Sequence, residues 1–169
     1  MITNPLIIYY SKTGTTAKIT EIVQPLIKAK SRRLGEPKGW RGGLNFGRYL
    51  RKGDDVVEFD TNIGEFDPII LLTPVWRGKP TSSMIEFLEK IDLKGKRVVL
   101  GLVGANETNP DALEKLRRKA MERGCNFIET IYLKGVTPGR DWTDLKEADY
   151  LREAARLAEK VAAVSEFSR

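Results

Sequence analysis

The sequence predicts an α/β protein in which βα units surround a parallel sheet. Three observations point that way. Short β-branched runs alternate along the chain with longer amphipathic ones. The earliest run, Leu6 to Tyr10, is apolar on both faces, as a central parallel strand should be. A hydroxyl-rich glycine loop follows it directly and opens a helix. The 169 residues suit one domain, 1–169, with a sizeable core, and no internal repeat breaks the alternation.

After the first strand, Ile19, Ile22, Val23, Leu26 and Ile27 recur at helical spacing, with Pro25 placed to kink or shorten the helix. Val56, Val57 and Phe59 form a weaker strand flanked by acids, suited to an edge. Ile69 to Leu72 reads as a buried strand, and Met84, Phe87, Leu88 and Ile91 mark the next helix. Val98 to Val103 is another strand, in which Gly101 permits close approach of a neighbour. Asn109-Pro110 is a cap and first-turn pair for a helix through about Arg123, which Gly124 ends. Phe127 to Leu133 is the fifth strand. Thr143 to about Val164 is one long helix with Leu145, Ala148, Leu151, Ala155 and Ala158 on a single face.

The stretch from Lys30 to Asp54 departs from the alternation. Its six glycines are interleaved with Arg32, Arg33, Lys38, Arg41, Arg48, Arg51 and Lys52, so it reads as a basic, Gly-rich insertion. Trp40, Leu44, Phe46, Tyr49 and Leu50 give it apolar content, and a short helix is expected near Asn45 to Lys52.

Composition removes whole classes of chemistry. With no His there is no imidazole base, no Ser-His-Asp or Cys-His pair and no imidazole metal site. A single Cys, Cys125, excludes an internal disulfide, a zinc-cysteine site and an all-Cys iron–sulfur cluster, and it reads as a core residue rather than a nucleophile. Asp141, Asp144, Glu147 and Asp149 read as helix-dipole partners rather than a metal site. Any chemistry here therefore belongs to a bound cofactor. The net charge of +6 favours acidic partners, yet no nucleic-acid reading motif accompanies it. No apolar run approaches membrane-helix length and the start Met1-Ile2-Thr3-Asn4-Pro5 lacks a basic signal region, so the expected location is the cytoplasm.

The segment Ser11-Lys12-Thr13-Gly14-Thr15-Thr16 carries the most information. Between a strand and a helix, its hydroxyls and glycine turn can surround a phosphate, with backbone N–H groups and the positive helix end pointing inward. Ser and Thr also serve as ordinary helix caps, but four hydroxyls and a glycine in six residues exceed what a cap requires. Neither a Walker A pattern nor a Gly-x-Gly-x-x-Gly turn occurs at this junction, which leaves a mononucleotide phosphate as the fitting ligand.

These residues resemble the flavodoxin family. Ser11-x-Thr13-Gly14-x-Thr16 matches its FMN phosphate loop at every defined position. Ile69-Ile70-Leu71-Leu72-Thr73-Pro74-Val75-Trp76-Arg77-Gly78-Lys79-Pro80 is similar to the family's third strand and following flavin loop, and Val98 to Asn106 to the strand before its second flavin loop. The resemblance implies a three-layer, doubly wound, five-stranded parallel sheet of order 2-1-3-4-5 with FMN as cofactor. Ligands of such a sheet sit at the carboxyl ends of strands 1 and 3, where the winding reverses. The resemblance places FMN against Ser11, Lys12, Thr13, Gly14, Thr15 and Thr16, then Thr73, Pro74, Val75, Trp76, Arg77 and Gly78, then Gly104, Ala105 and Asn106. Trp76 either stacks on the flavin ring or packs under its own loop. Gly78 or Gly104 would permit the backbone reorientation the family shows on reduction.

Two departures stand out. The loop from Gly104 to Asn109 holds no aromatic to cover the flavin's other face, although Trp40 or Tyr49 of the insertion can substitute. The chain is basic where many flavodoxins are acidic. The expected function is FMN-dependent electron transfer to a redox partner of acidic character. The alternatives are an FMN-dependent NAD(P)H or quinone reductase, and a flavin-free interaction module working through the basic insertion.

Overall fold

Leu6–Tyr9 forms β1, and three of its four residues are buried because neighbouring strands flank it on both sides. A computed structural model describes residues 4–35, 60–105, 109–135 and 145–166. β1 is followed by α1 (Thr15–Leu26), β2 (Lys30–Arg33), β3 (Ile69–Trp76), β4 (Lys79–Pro80), α2 (Ser82–Lys90), β5 (Arg97–Gly104), α3 (Pro110–Glu122), β6 (Phe127–Lys134) and α4 (Glu147–Glu166). The parallel strands lie in the order β2-β1-β3-β5-β6, the expected 2-1-3-4-5 winding, and β4 adds an antiparallel pairing to the end of β3.

Period-two alternation divides the core into two layers. Leu6, Ile8, Ile69, Leu71, Val98, Leu100 and Leu102 face α2 and α3, where Met84, Phe87, Leu88, Leu116 and Ala120 pack on them. Ile7, Ile70, Leu72, Val99 and Val103 face α1 and α4 through Ile19, Val23, Ala154, Leu157 and Val161. Gly101 pairs in register with Leu72, and a Cβ there would come within 2.3 Å of Leu72 Cδ2, so the strands can meet only at glycine. Pro25 sits one residue before the end of α1. The Asn109 side chain accepts from Ala112 N to cap α3, and Gly124 follows that helix at φ +83°.

Two expectations change. The edge strand next to β1 comes from Lys30–Arg33, inside the span assigned to the insertion, while the strand expected at Val56 to Phe59 lies outside the described residues. Lys-Ser-Arg-Arg carries no apolar alternation. It is a strand because it completes the hydrogen bonding of β1, from Lys30 N to Pro5 O through to Leu34 N on Tyr9 O. The second change concerns α4, whose buried face is Ala154, Leu157, Val161 and Val164 and not the row through Leu151, which is exposed. Both rows have helical period, but Val and Leu remove more apolar area from water than Ala, and they decide which way the helix faces. Residues 143 and 144, the short helix near Asn45 to Lys52, and Trp40 and Tyr49 lie outside the described residues.

Candidate functional site

The phosphate-loop candidate sits where β1 ends and α1 begins. Tyr10 N donates to Leu72 O and so carries the sheet to the brink of the loop. Gly14 then adopts φ +91°, ψ −15° at the N-cap position, a left-handed conformation that strains other residues. Gly14 offers no side chain to cap α1, and a Cβ there would meet nothing within 4 Å, so the space beside the N-cap is open.

The surrounding hydroxyls take different parts. Ser11 is buried and its Oγ accepts from Ala17 N at 3.1 Å, bracing the loop from within while keeping its own proton to donate. Thr13 and Thr15 hydroxyls lie 3.4 Å apart at the mouth, and Thr16 is buried beneath them. Thr20 Oγ1 donates to Thr16 O one turn on, which stiffens this end of the helix.

The second loop is a tight hairpin. Val75 pairs with Pro80 and Trp76 with Lys79, leaving Arg77 and Gly78 as a two-residue turn with φ of +49° and +75°. Both positive angles mark a type I′ turn, whose twist matches that of its flanking strands. Thr73, counted among the candidate residues, is fully buried: its hydroxyl lies 2.9 Å from Thr81 Oγ1, accepts from Thr81 N and donates to Pro74 O. It locks the hairpin to the start of α2, and Pro74 has no amide to offer a ligand. Trp76 is half-buried against the edge of Tyr10, at 5.8 Å between centroids and 77° between planes, and Lys12 Nζ lies 5.4 Å from its ring centre. Trp76 therefore borders the phosphate loop and also packs on the core.

The third loop meets the second. A Cβ at Gly78 would lie 3.7 Å from Asn109 Nδ2, so the hairpin tip adjoins the start of α3. Gly104 closes β5 opposite Lys134, and its carbonyl accepts from Gly135 N at 2.8 Å. Ala105 follows it as an exposed residue, and Asn106 lies outside the described residues. The loops after β1, β3 and β5 thus share one edge of the sheet, at the reversal of winding.

Sequence reasoning missed Arg33. Its Nη2 donates to Ser11 O at 2.6 Å, tying the phosphate loop to the last residue of β2. Only the β1–β2 register, which sets Arg33 opposite Tyr9, exposes this role. Away from the site, Cys125 packs against the core and burial pushes its thiol up, away from nucleophilic character. Glu147 pairs with Lys18, Asp149 accepts from Lys146 N, and Asp141 and Asp144 lie outside the described residues.

Comparison with solved structures settles the architecture. A Bacteroides eggerthii protein superposes with a TM-score of 0.65 at 18% identity, covering 95% of this chain and 99% of its own. Flavodoxin 2 of Bacillus cereus gives 0.60 at 21%, over 95% and 99%. This is the flavodoxin fold. A flavoprotein of Lactobacillus acidophilus solved in complex with FMN shares it, with a TM-score of 0.55 and 21% identity over 79% of this chain and 93% of its own. No protein-family model and no curated relative matches the chain.

The residues present fit a flavin mononucleotide on structural grounds. A helix N-terminus whose N-cap glycine has no side chain, flanked by hydroxyls, suits a phosphate dianion, and a half-buried indole beside it suits a flat heterocycle. Among the described residues, no helix of this flavodoxin fold is long and apolar enough to cross a membrane.

Proposed function

We propose that this chain binds FMN and transfers electrons to a partner protein of acidic character. The observation that carries the reading is the N-terminus of α1 at Gly14, which has no side chain of its own and is flanked by Ser11, Thr13, Thr15 and Thr16, with Ser11 Oγ holding the Ala17 amide. The Lactobacillus acidophilus flavoprotein, solved with FMN on the same fold, adds support. A bound flavin would supply the redox chemistry that a chain without His cannot.

The chain's own residues bind and orient. The first-turn amides and hydroxyls hold the phosphate, and Arg33 keeps the loop against β2. Trp76 gives the ring a face, and the stiff Arg77–Gly78 hairpin shields one side from water. Lys12 places a positive charge near the indole, which favours added negative charge at a neighbouring ring.

Thr13→Val with Thr16→Val tests the phosphate assignment. FMN binding is expected to weaken by about tenfold or more while riboflavin binding changes little, because only FMN carries the phosphate. Equal losses for both ligands would refute it. The reductase reading draws on Gly104 and Ala105, which carry no ring over the third loop. Rapid bleaching of FMN-loaded protein by NADPH in a stopped-flow mixer would favour that reading over the carrier.

A further inference from the structure

Charge of one sign gathers where the first two loops meet around Trp76. The phosphate loop, 11–16, carries Lys12, and the stretch 73–83 carries Arg77 and Lys79, while neither holds an Asp or Glu. The acids of the third loop are Glu107, outside the described residues, and Asp111 in the first turn of α3. Arg77 and Lys79 are exposed and form no ion pair with a described residue.

The hairpin fixes where these charges sit. Trp76 pairs directly with Lys79 across the two-residue turn. Residues opposite each other in an antiparallel pair put their side chains on one face, with Cβ atoms about 4.5–5.5 Å apart. Lys12 Nζ reaches the same indole from the phosphate loop, 5.4 Å from the ring centre. The edge of Tyr10 holds the indole, and the Thr73–Thr81 hydrogen bonds lock the base of the hairpin to α2. Trp76 therefore has one cation over its ring and a second beside it on the same hairpin face.

Such an arrangement discriminates between redox states of a ligand. The phosphate of FMN is the same whether the ring is oxidised or reduced, so the hydroxyls and amides of the phosphate loop cannot tell the two apart. Charges beside the ring can. The oxidised ring is neutral; two electrons and one proton, taken up at N5, leave it with one net negative charge at mildly alkaline pH. Resting on the FMN reading above, we infer that Lys12 and Lys79 make this site hold reduced FMN more tightly than oxidised FMN, so that the bound flavin is easier to reduce than free FMN. Arg77 adds to the field from the tip of the turn. Exposed cations act through water, so the preference is modest and falls with salt. A chain poised in this way takes electrons readily and passes them to a partner that is a stronger oxidant than free FMN.

The test is a redox titration of the FMN-loaded chain at mildly alkaline pH, with dithionite as electron donor and a reference dye to read the potential. The midpoint is expected above that of free FMN under the same conditions. Lys12→Gln with Lys79→Gln should cut the preference for reduced FMN about tenfold, which lowers the two-electron midpoint by about 30 mV. Lys79→Glu should lower it further than Lys79→Gln, and Lys79→Arg should leave it in place, since charge and not shape is at work. The differences should shrink between about 10 mM and about 1 M salt, as the screening length falls from about 30 Å to about 3 Å. Circular dichroism checks the fold of each variant, and flavin fluorescence gives the dissociation constant of oxidised FMN. A midpoint at or below that of free FMN, or one that Lys79→Glu does not move, would overturn the inference while FMN binding stands. Failure of the chain to bind FMN at all would remove both readings.

Discussion

Replacing Gly101 with alanine tests the strand register that brings the loops after β3 and β5 to one level. The new Cβ would fall 2.3 Å from Leu72 Cδ2, more than 1 Å inside ordinary contact, with Ile131 Cγ2 at 3.6 Å and Leu133 Cδ1 at 3.8 Å behind it. Leu72 is wholly buried and has nowhere to swing. Overpacking of this kind costs about 1–3 kcal/mol, offset by about 0.4–1 kcal/mol from the stiffer unfolded chain. At the middle of these ranges the net loss is about 1 kcal/mol, which should lower Tm by about 2–5 °C for a chain of this size. Leu72→Val removes the obstructing δ-methyl and should cost about 1 kcal/mol alone. Combined with Gly101→Ala it should fall short of the sum of the two losses by about 1 kcal/mol, because each change relieves the other. Urea unfolding of the four proteins, with unchanged m-values, measures this coupling. Strict additivity would mean that Gly101 and Leu72 are not in contact and that β3 and β5 pair in a different register.

Two further outcomes are expected. Thr73→Val strands the buried Thr81 hydroxyl and amide and should cost about 1–3 kcal/mol, while Thr73→Val with Thr81→Val should recover only the hydroxyl's share, since the Thr81 amide lacks its acceptor in both; thermal unfolding reads both. The Lys146 backbone N–H, and then the Arg152 guanidinium, hold the Asp149 carboxyl below its ordinary range. A depressed folded pKa stabilises fully above the unfolded value, about 3.9, and fades as pH falls through the folded one. The Tm gap between the chain and its Asp149→Asn variant should therefore be constant from about pH 6 to 8 and shrink below about pH 4.

Much of this protein was legible from its sequence because the signals were local. Ile69 to Leu72 and Val98 to Val103 are apolar on both faces wherever they lie, so they announce buried parallel strands. Asn109-Pro110 and Gly124 bracket α3 through short-range backbone chemistry alone. The hydroxyl–glycine loop marked its own place, since strand, turn and helix follow within one short stretch.

Tertiary structure decided what depends on distant partners. Lys30–Arg33 is a strand only because β1 needs a neighbour, and that pairing alone brings Arg33 to Ser11. The Thr73 hydroxyl turns inward because Thr81, eight residues on, returns through a hairpin to meet it. The face of α4 was set by which row buries more area against α1 and the sheet, a comparison no single helix contains. Backbone preference and periodicity act over a few residues, so the chain's order of residues fixed most of the elements and the place of the hydroxyl–glycine loop, though not the edge strand β2. Which side chains brace the site was settled only when the strands came together.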